Sequence, residues 1–388
     1  MNNLVCVCCG NTDMLSAWEL PRLPLTGIYL ENPEKFEFEN FHDETLLYCT
    51  ACEHMQLSNS VDPGLLYLET YSHRTSESPI STAGNIFFKD QMTLILAERK
   101  YRQVLEIGCN DGLLLRSVAG LAENLAGFDP VLAESIEEYD NVKFLGGFGE
   151  TVNYENLVTE KIDLVVSAHT FEHIVDPRIT LLRLAPYLAE EFDLLIEVPS
   201  SISMVDQIRM DQVFPQHVNY YSPSSLQSLM EPLGLKLVKL MRNYRYWGGT
   251  QILHFSNRKN LTLQDFPSLK LERVLSSIKN FEGSIATSVT QISHGDLDRF
   301  AFGAAQMLPI IRYHLGDVFE EKISGILDNN SSRIGKYFPS IDVPILDAER
   351  TNISGCQILL TALDSAKYIV PKAIESGAVS VVLPVGIL

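Results

Sequence analysis

The stretch Val104-Leu105-Glu106-Ile107-Gly108-Cys109-Asn110-Asp111-Gly112 constrains this chain more than any other. An apolar run carrying an acid meets two glycines four apart, and leucine-rich sequence at helical spacing follows. This is how a strand turns sharply into a helix while a ligand approaches the backbone. Glycine has no Cβ where the chain must bend or touch a bound group. The helix start then offers unpaired N–H groups and the positive end of its dipole. The three-glycine spacing of a dinucleotide site is absent. About 20 residues on, Ala126-Gly127-Phe128-Asp129-Pro130 places an acid at the end of a second apolar strand, where it can bind ribose hydroxyls.

The alternation of apolar strands and amphipathic helices around this turn predicts a doubly wound α/β sheet over residues 99–256. Its candidate strands are Gln103–Ile107, Asn124–Phe128, Val142–Leu145, Leu164–Ser167, Leu194–Glu197, Leu235–Met241 and Gln251–Phe255. Residues 1–60 read as a separate module with strands near Thr45–Tyr48 and His54–Leu57. Residues 61–98 read as a helical lead-in. The polar span 257–295 predicts a mostly helical linker that includes Leu271–Ile285. A second alternating unit fills 296–388. It contains a strand-to-helix turn at Phe300–Ala305 and a strand ending in an acid at Ile323–Asn330. With 388 residues, two or three domains are expected.

Five of the seven cysteines lie in the first module. Cys6 with Cys9, and Cys49 with Cys52, form two C-x-x-C pairs, with Cys8 spare. Four thiolates satisfy tetrahedral Zn²⁺ with no open position, so the site expected is structural rather than catalytic. Clustered cysteines favour metal over disulfides in a reducing compartment. Two features of the sequence predict that compartment. The opening Met1-Asn2-Asn3-Leu4 lacks the basic start and apolar core of a signal peptide. No run of about 18 apolar residues is present. The expected location is the cytoplasm, with no membrane contact. A net charge of −19 excludes nucleic acid as the expected partner, because phosphate contacts need clustered Lys and Arg. It leaves a small-molecule substrate open.

The Glu106–Gly112 turn with Asp129 resembles the nucleoside-binding half of class I S-adenosylmethionine-dependent methyltransferases. With the zinc pairs and the tail, the whole chain resembles the sugar C-methyltransferases, which methylate carbon on nucleotide-linked keto-deoxysugars. That family's Tyr-His-Glu-His segment, followed by an aromatic pair and Ser, stands here as Phe214-Pro215-Gln216-His217-Val218-Asn219-Tyr220-Tyr221-Ser222. Its His-Gly-Gly-Ser stands as Trp247-Gly248-Gly249-Thr250, and its tail element as Asp328 through Ser340. Gln216 replaces the family's Glu, and Phe214-Pro215 its Tyr-His. Tyr71-Ser72-His73 replaces a Tyr-x-Tyr, and Gln306 lies near a missing Lys.

The resemblance implies a class I methyltransferase Rossmann-like sheet between an N-terminal zinc module and a smaller C-terminal Rossmann-like domain. It implies S-adenosylmethionine and structural Zn²⁺ as cofactors and a nucleotide-sugar as a candidate substrate. For cofactor contacts it points to Glu106, Gly108, Cys109, Asn110, Gly112, Asp129, Pro130, Gly147, Phe148, His169 and Thr170. The run His169–Pro177 carries His and Glu, as a metal site would. The family's Glu-His-x-x-x-Pro element instead lines the cofactor pocket there. Methylating carbon beside a carbonyl requires a base near neutral pKa and donors for the enolate oxygen. His217 fits the base by residue type and by family position. Gln216, Tyr220, Tyr221, Tyr71 and His73 are the candidate donors or substrate contacts. Methylation of O or N on another metabolite, and cofactor binding without turnover, are the competing readings.

Overall fold

The computed structural model describes residues 4–32, 40–64, 66, 74–77, 79–244 and 248–385. Three sheets organise them. The first is antiparallel and joins β1 (Met14–Pro24), β2 (Phe41–Cys49) and β3 (Met55–Leu57) to a short strand from far along the chain, β10 (Asn219–Tyr220). β1 escapes a sequence reading because Pro21 and Pro24 argue against a strand. It survives at a sheet edge, with register shifts between Ser16 and Trp18 and between Leu20 and Leu23.

The central sheet contains β4 (Gln103–Ile107), β5 (Asn124–Asp129), β6 (Glu137–Tyr139), β7 (Val142–Gly146), β8 (Ile162–Ala168), β9 (Leu188–Pro199), β11 (Lys236–Asn243) and β12 (Thr250–Ser256). Their order is β11-β12-β9-β8-β4-β5-β7-β6. β7, β5, β4, β8 and β9 pair in parallel, whereas β12 runs antiparallel to β9 and to β11. Every residue of β4 is buried, as expected of a strand covered on both faces. The strand order reverses at β4, so a crevice opens at its C-terminal end, where sheets of this kind bind ligands.

The third sheet is wholly parallel. It joins β13 (Arg299–Phe302), β14 (Gly325–Asp328), β15 (Ile345–Asp347), β16 (Gln357–Leu360) and β17 (Ser380–Val382) in the order β15-β14-β13-β16-β17. The order matches that of β7-β5-β4-β8-β9. The turns match too. Asn110 N–H donates to Asp129 Oδ2 at 2.8 Å, and Ala304 N–H donates to Asp328 Oδ2 at 2.8 Å.

Where the sequence predicts mostly helix across 257–295, residues 257–270 form neither helix nor strand, and the helix runs from Leu271 to Ser293. Val274, Ile278, Phe281, Ile285 and Ile292 recur at helical spacing on one face and are buried. That face packs into one apolar cluster with Trp18, Leu20 and Leu23 of β1, with Ala301 of β13 and with Leu308 and Ile311 beyond it. Each such side chain stabilises by about 1.5–3 kcal/mol when removed from water. This helix is therefore part of a shared core. Among the described residues no helix is long and apolar enough to cross a membrane.

Candidate active site

At the end of β4 the chain takes positive φ at Gly108 (74°), Asn110 (47°) and Gly112 (76°). A Cβ on Gly108 would lie 2.1 Å from Thr170 Oγ1, and one on Gly112 would lie 2.5 Å from the Phe144 ring. Packing as well as backbone conformation thus requires both glycines. Cys109 contributes its backbone, donating to Phe128 O at 3.1 Å, while its side chain joins the core. Asp129 takes N–H bonds from Asn110 (2.8 Å) and Val131 (3.0 Å), and half-buried Pro130 follows it. Gly147 N–H reaches Asp129 O at 3.2 Å, and Phe148 O caps the next turn.

Two acids converge here. Burial drives the Glu106 carboxyl well above the usual range, and Asp129 and Asp111 add to this. Burial also raises Asp129, against the backbone N–H bonds that favour its anion. Glu106 Oε2 is buried without a hydrogen-bond partner. Leaving such an atom unpaired costs about 1–3 kcal/mol, which a ligand's donor recovers. The donor set fits the hydroxyl and ammonium groups of S-adenosylmethionine.

A second cluster follows β8. His169, itself at φ 54°, stands between two carboxylates, with Glu172 Oε1 3.4 Å from Nδ1 and Glu197 Oε1 3.8 Å from Nε2. Thr250 donates to Glu197 Oε1 at 2.5 Å. Burial pushes the Glu172 carboxyl up. The bond to His169 and the charges of His173, His169 and His217 outweigh this and hold it at about 2. His173 Nδ1 lies 2.8 Å from Gln216 O. A carbonyl only accepts, so Nδ1 carries the proton in this bond. The His217 ring meets His173 edge-on, with centroids 4.7 Å apart, and lies 4.1 Å from the Phe214 ring. Desolvation, then His173, holds His217 well below its ordinary pKa of 6.5, so its imidazole is neutral at pH 7. It lines a small cavity with Ser200, Met204, Gln212 and Gly249. Thr170 Oγ1 lies 3.4 Å from Gly108 O, which ties this segment to the β4 turn. Glu172, His173 and His217 each offer a ligand atom within 4.8 Å of the others.

The remaining expected residues fare differently. Gln216 does not face this cluster. Its Nε2 donates to Thr26 O at 2.9 Å, and its Oε1 accepts from Thr26 N and Oγ1 at 3.3 Å each. Tyr220 is buried, its hydroxyl accepting from Phe214 N at 3.1 Å. Tyr221 is buried with its hydroxyl on Phe171 O at 3.1 Å. Both hydroxyls contact backbone, and Tyr220 lines the small cavity with His217. Thr170 covers Gly108 and donates to Ala168 O at 3.2 Å. Tyr71 and His73 lie outside the described residues. Glu172 and His173, read in sequence as part of a Glu-His element lining the cofactor pocket, also meet His217. Their adjacency in the Glu-His pair was the available signal.

The cysteine knuckles converge as expected. Cys6 Sγ lies 3.5 Å from Cys52 Sγ, and Cys9 Sγ lies 3.6 Å from Cys49 Sγ, with all four within 4.8 Å of one another. Tetrahedral Zn²⁺ with Zn–S of ~2.3 Å requires sulfurs about 3.8 Å apart, so the cage fits zinc. Cys8 is buried outside this set. Asn11 Nδ2 approaches Cys49 Sγ at 3.8 Å as an outer contact.

Residues 83–240 match the family of methyltransferase domains, and residues 6–67 match a zinc binding domain family. The C-methyltransferase NovU of Streptomyces niveus is 25% identical over 241 residues, covering 60% of this chain and 56% of NovU. The chain thus spans little more than half the length of that relative. Among solved structures, the N-methyltransferase NodS from Bradyrhizobium japonicum in complex with S-adenosyl-L-homocysteine is 14% identical. Its TM-score is 0.35, over 47% of this chain and 89% of NodS. Magnesium protoporphyrin IX methyltransferase from Synechocystis PCC 6803 is 13% identical with a TM-score of 0.35, over 50% of this chain and 92% of that chain. The matched segments are those that hold the β4 turn and the cysteine cage, and the chain therefore carries an S-adenosylmethionine-dependent methyltransferase domain behind an N-terminal zinc-binding domain.

Proposed function

We propose that the protein methylates carbon beside the carbonyl of a nucleotide-linked keto-deoxysugar, with His217 as the base. The observation that carries this reading is the neutral His217 held against His173 and ionised Glu172, close to the cofactor turn. Methyl transfer to oxygen or nitrogen of an ordinary metabolite has less need of such a base. When bound at the turn, S-adenosylmethionine supplies an activated methyl group. Glu106 and Asp129 receive its polar groups. The His217 lone pair would take the proton α to the carbonyl, leaving an electron pair on carbon for the methyl group that the cofactor would supply. The Glu172 carboxylate would stabilise the imidazolium produced. A nucleotide-linked substrate is supported by the second turn at Gly303–Asp328, which repeats the backbone device of the first. The Streptomyces relative is a C-methyltransferase, in keeping with methylation at carbon.

The test is incubation with S-adenosylmethionine and nucleotide-linked keto-deoxysugars in D₂O. Deuterium entering the α carbon, with product methylated there, is the expected result. A methyl group on oxygen or nitrogen without deuterium exchange would replace this reading with O- or N-methylation. Cofactor binding without product across the panel would leave a binding protein.

A further inference from the structure

His217 lies in a loop that the zinc module holds from both sides. On its N-terminal side, the Gln216 amide closes on Thr26 through Nε2 and Oε1. On its C-terminal side, Val218 O accepts from Leu57 N at 2.9 Å, and Asn219 and Tyr220 form β10 against Gln56 and Met55. The Asn219 side chain, which is buried, adds the decisive pair of contacts. Its Nδ2 donates to Ile174 O at 2.6 Å, directly after His173. Its Oδ1 lies 3.0 Å from Nε2 of His54. The Ile174 carbonyl can only accept, so the amide orientation is fixed and His54 Nε2 must be the donor. His54 is fully buried, stands two residues from Cys52, and accepts from Cys49 N at 2.8 Å through its own carbonyl. One continuous chain of hydrogen bonds therefore runs from the Cys49–Cys52 knuckle through His54 and Asn219 to the segments bearing His173 and His217. His173 closes the ring through Gln216 O.

We propose that Asn219 and His54 are positioning residues that let the zinc knuckle set the relative placement of the two catalytic histidines. The inference rests on the reading of His217 and His173 given above. Two buried side chains, each with its partners fixed, tie a metal-locked turn to two loops that are otherwise far apart in sequence. Outer-shell partners of this kind typically change activity 10–100-fold when lost, and about 1 Å of misplacement can cost 10²-fold.

The test compares zinc-loaded full-length wild type with Asn219→Leu, His54→Leu and His54→Gln. Glutamine places an amide donor near the position of Nε2. Four quantities are read: zinc per chain, S-adenosylhomocysteine affinity by calorimetry, the ¹⁵N imidazole resonances of His173 and His217, and kcat with KM on the active keto-sugar. The leucine variants are expected to keep zinc and cofactor affinity, to shift both imidazole resonances, and to lower kcat about 10–100-fold with KM little changed. His54→Gln should restore kcat to within a few-fold. If His54→Leu loses zinc, Asn219→Leu decides, because it touches no zinc ligand. Unmoved His173 and His217 resonances in zinc-replete Asn219→Leu overturn the proposal. Should the resonances move while His217→Ala turns over normally, the coupling stands and the base assignment falls.

Discussion

At His217, packing decides the protonation state. Its folded pKa lies below 6.5, so it stays neutral as pH falls through the range where an exposed histidine would charge. The acid limb of kcat/KM is therefore expected below pH 6.5, and a pH–rate profile checks it. The same shift bears on stability. The unfolded chain takes up this proton below about pH 6.5 and the folded chain does not, so stability falls with pH there. Glu172, held at about 2, contributes stability that is present above pH 4.5 and lost as pH falls toward 2. His217→Ala should lower turnover by about 10²–10⁴-fold while leaving S-adenosylhomocysteine affinity intact, as measured by calorimetry. Gln216→Glu is expected to cost stability and not to add a base. A carboxylate cannot donate to Thr26 O, and that buried carbonyl would be left unpaired at about 1–3 kcal/mol. A lower melting temperature without a gain in turnover is the predicted result. Higher turnover on a keto-sugar would show that residue 216 acts in the chemistry.

At the scale of elements, the β4 turn and β5 work as one unit. Asp129 fixes the turn through Asn110 and the following loop through Val131, so its carboxylate sets the backbone on both sides. Asp129→Ala should weaken S-adenosylhomocysteine binding by about 1–3 kcal/mol, or 10–100-fold, in titration calorimetry. Unchanged affinity would remove Asp129 from the cofactor site. The strands of this unit were legible in sequence because they are buried on both faces and read as unbroken apolar runs. β10 was not legible, because a two-residue strand has no periodicity of its own. It exists because Asn219 and Tyr220 find β3 waiting. Helix Leu271–Ser293 showed its apolar spacing in the sequence, but not that β1 and the C-terminal unit would share that face.

At the scale of the whole molecule, the zinc module is bound into its neighbours. Glu53, beside the second knuckle, accepts from Leu269 N at 2.8 Å and pairs with Lys270 at 3.2 Å, just ahead of the long helix. Zinc contributes about 10–16 kcal/mol to small structural sites, comparable to the roughly 5–15 kcal/mol that holds a whole domain together. Cys49→Ser, or treatment with a strong chelator, should therefore unfold the first sheet. Hydrogen exchange is expected to show lost protection in β1–β3 and β10, with β4, β5 and β8 still protected. Uniform protection after zinc removal would show that the module folds without its metal. The sequence alone determined the cage, the cofactor turn and the class of sheet. Each rests on local spacing: two cysteines per knuckle, two glycines per turn, an acid at a strand's end. Tertiary structure alone decided the cluster of Glu172, His173 and His217. His173 and His217 are separated along the chain by β9 and by the helices Pro177–Leu184 and Ser201–Asp206, and the contacts of Gln216 and Asn219 help bring them together. The same closure turned Gln216 toward Thr26 and buried the Tyr220 and Tyr221 hydroxyls on backbone. A residue's type shows what chemistry it can do, but the partners that occupy its polar atoms are set by chain segments far away in sequence.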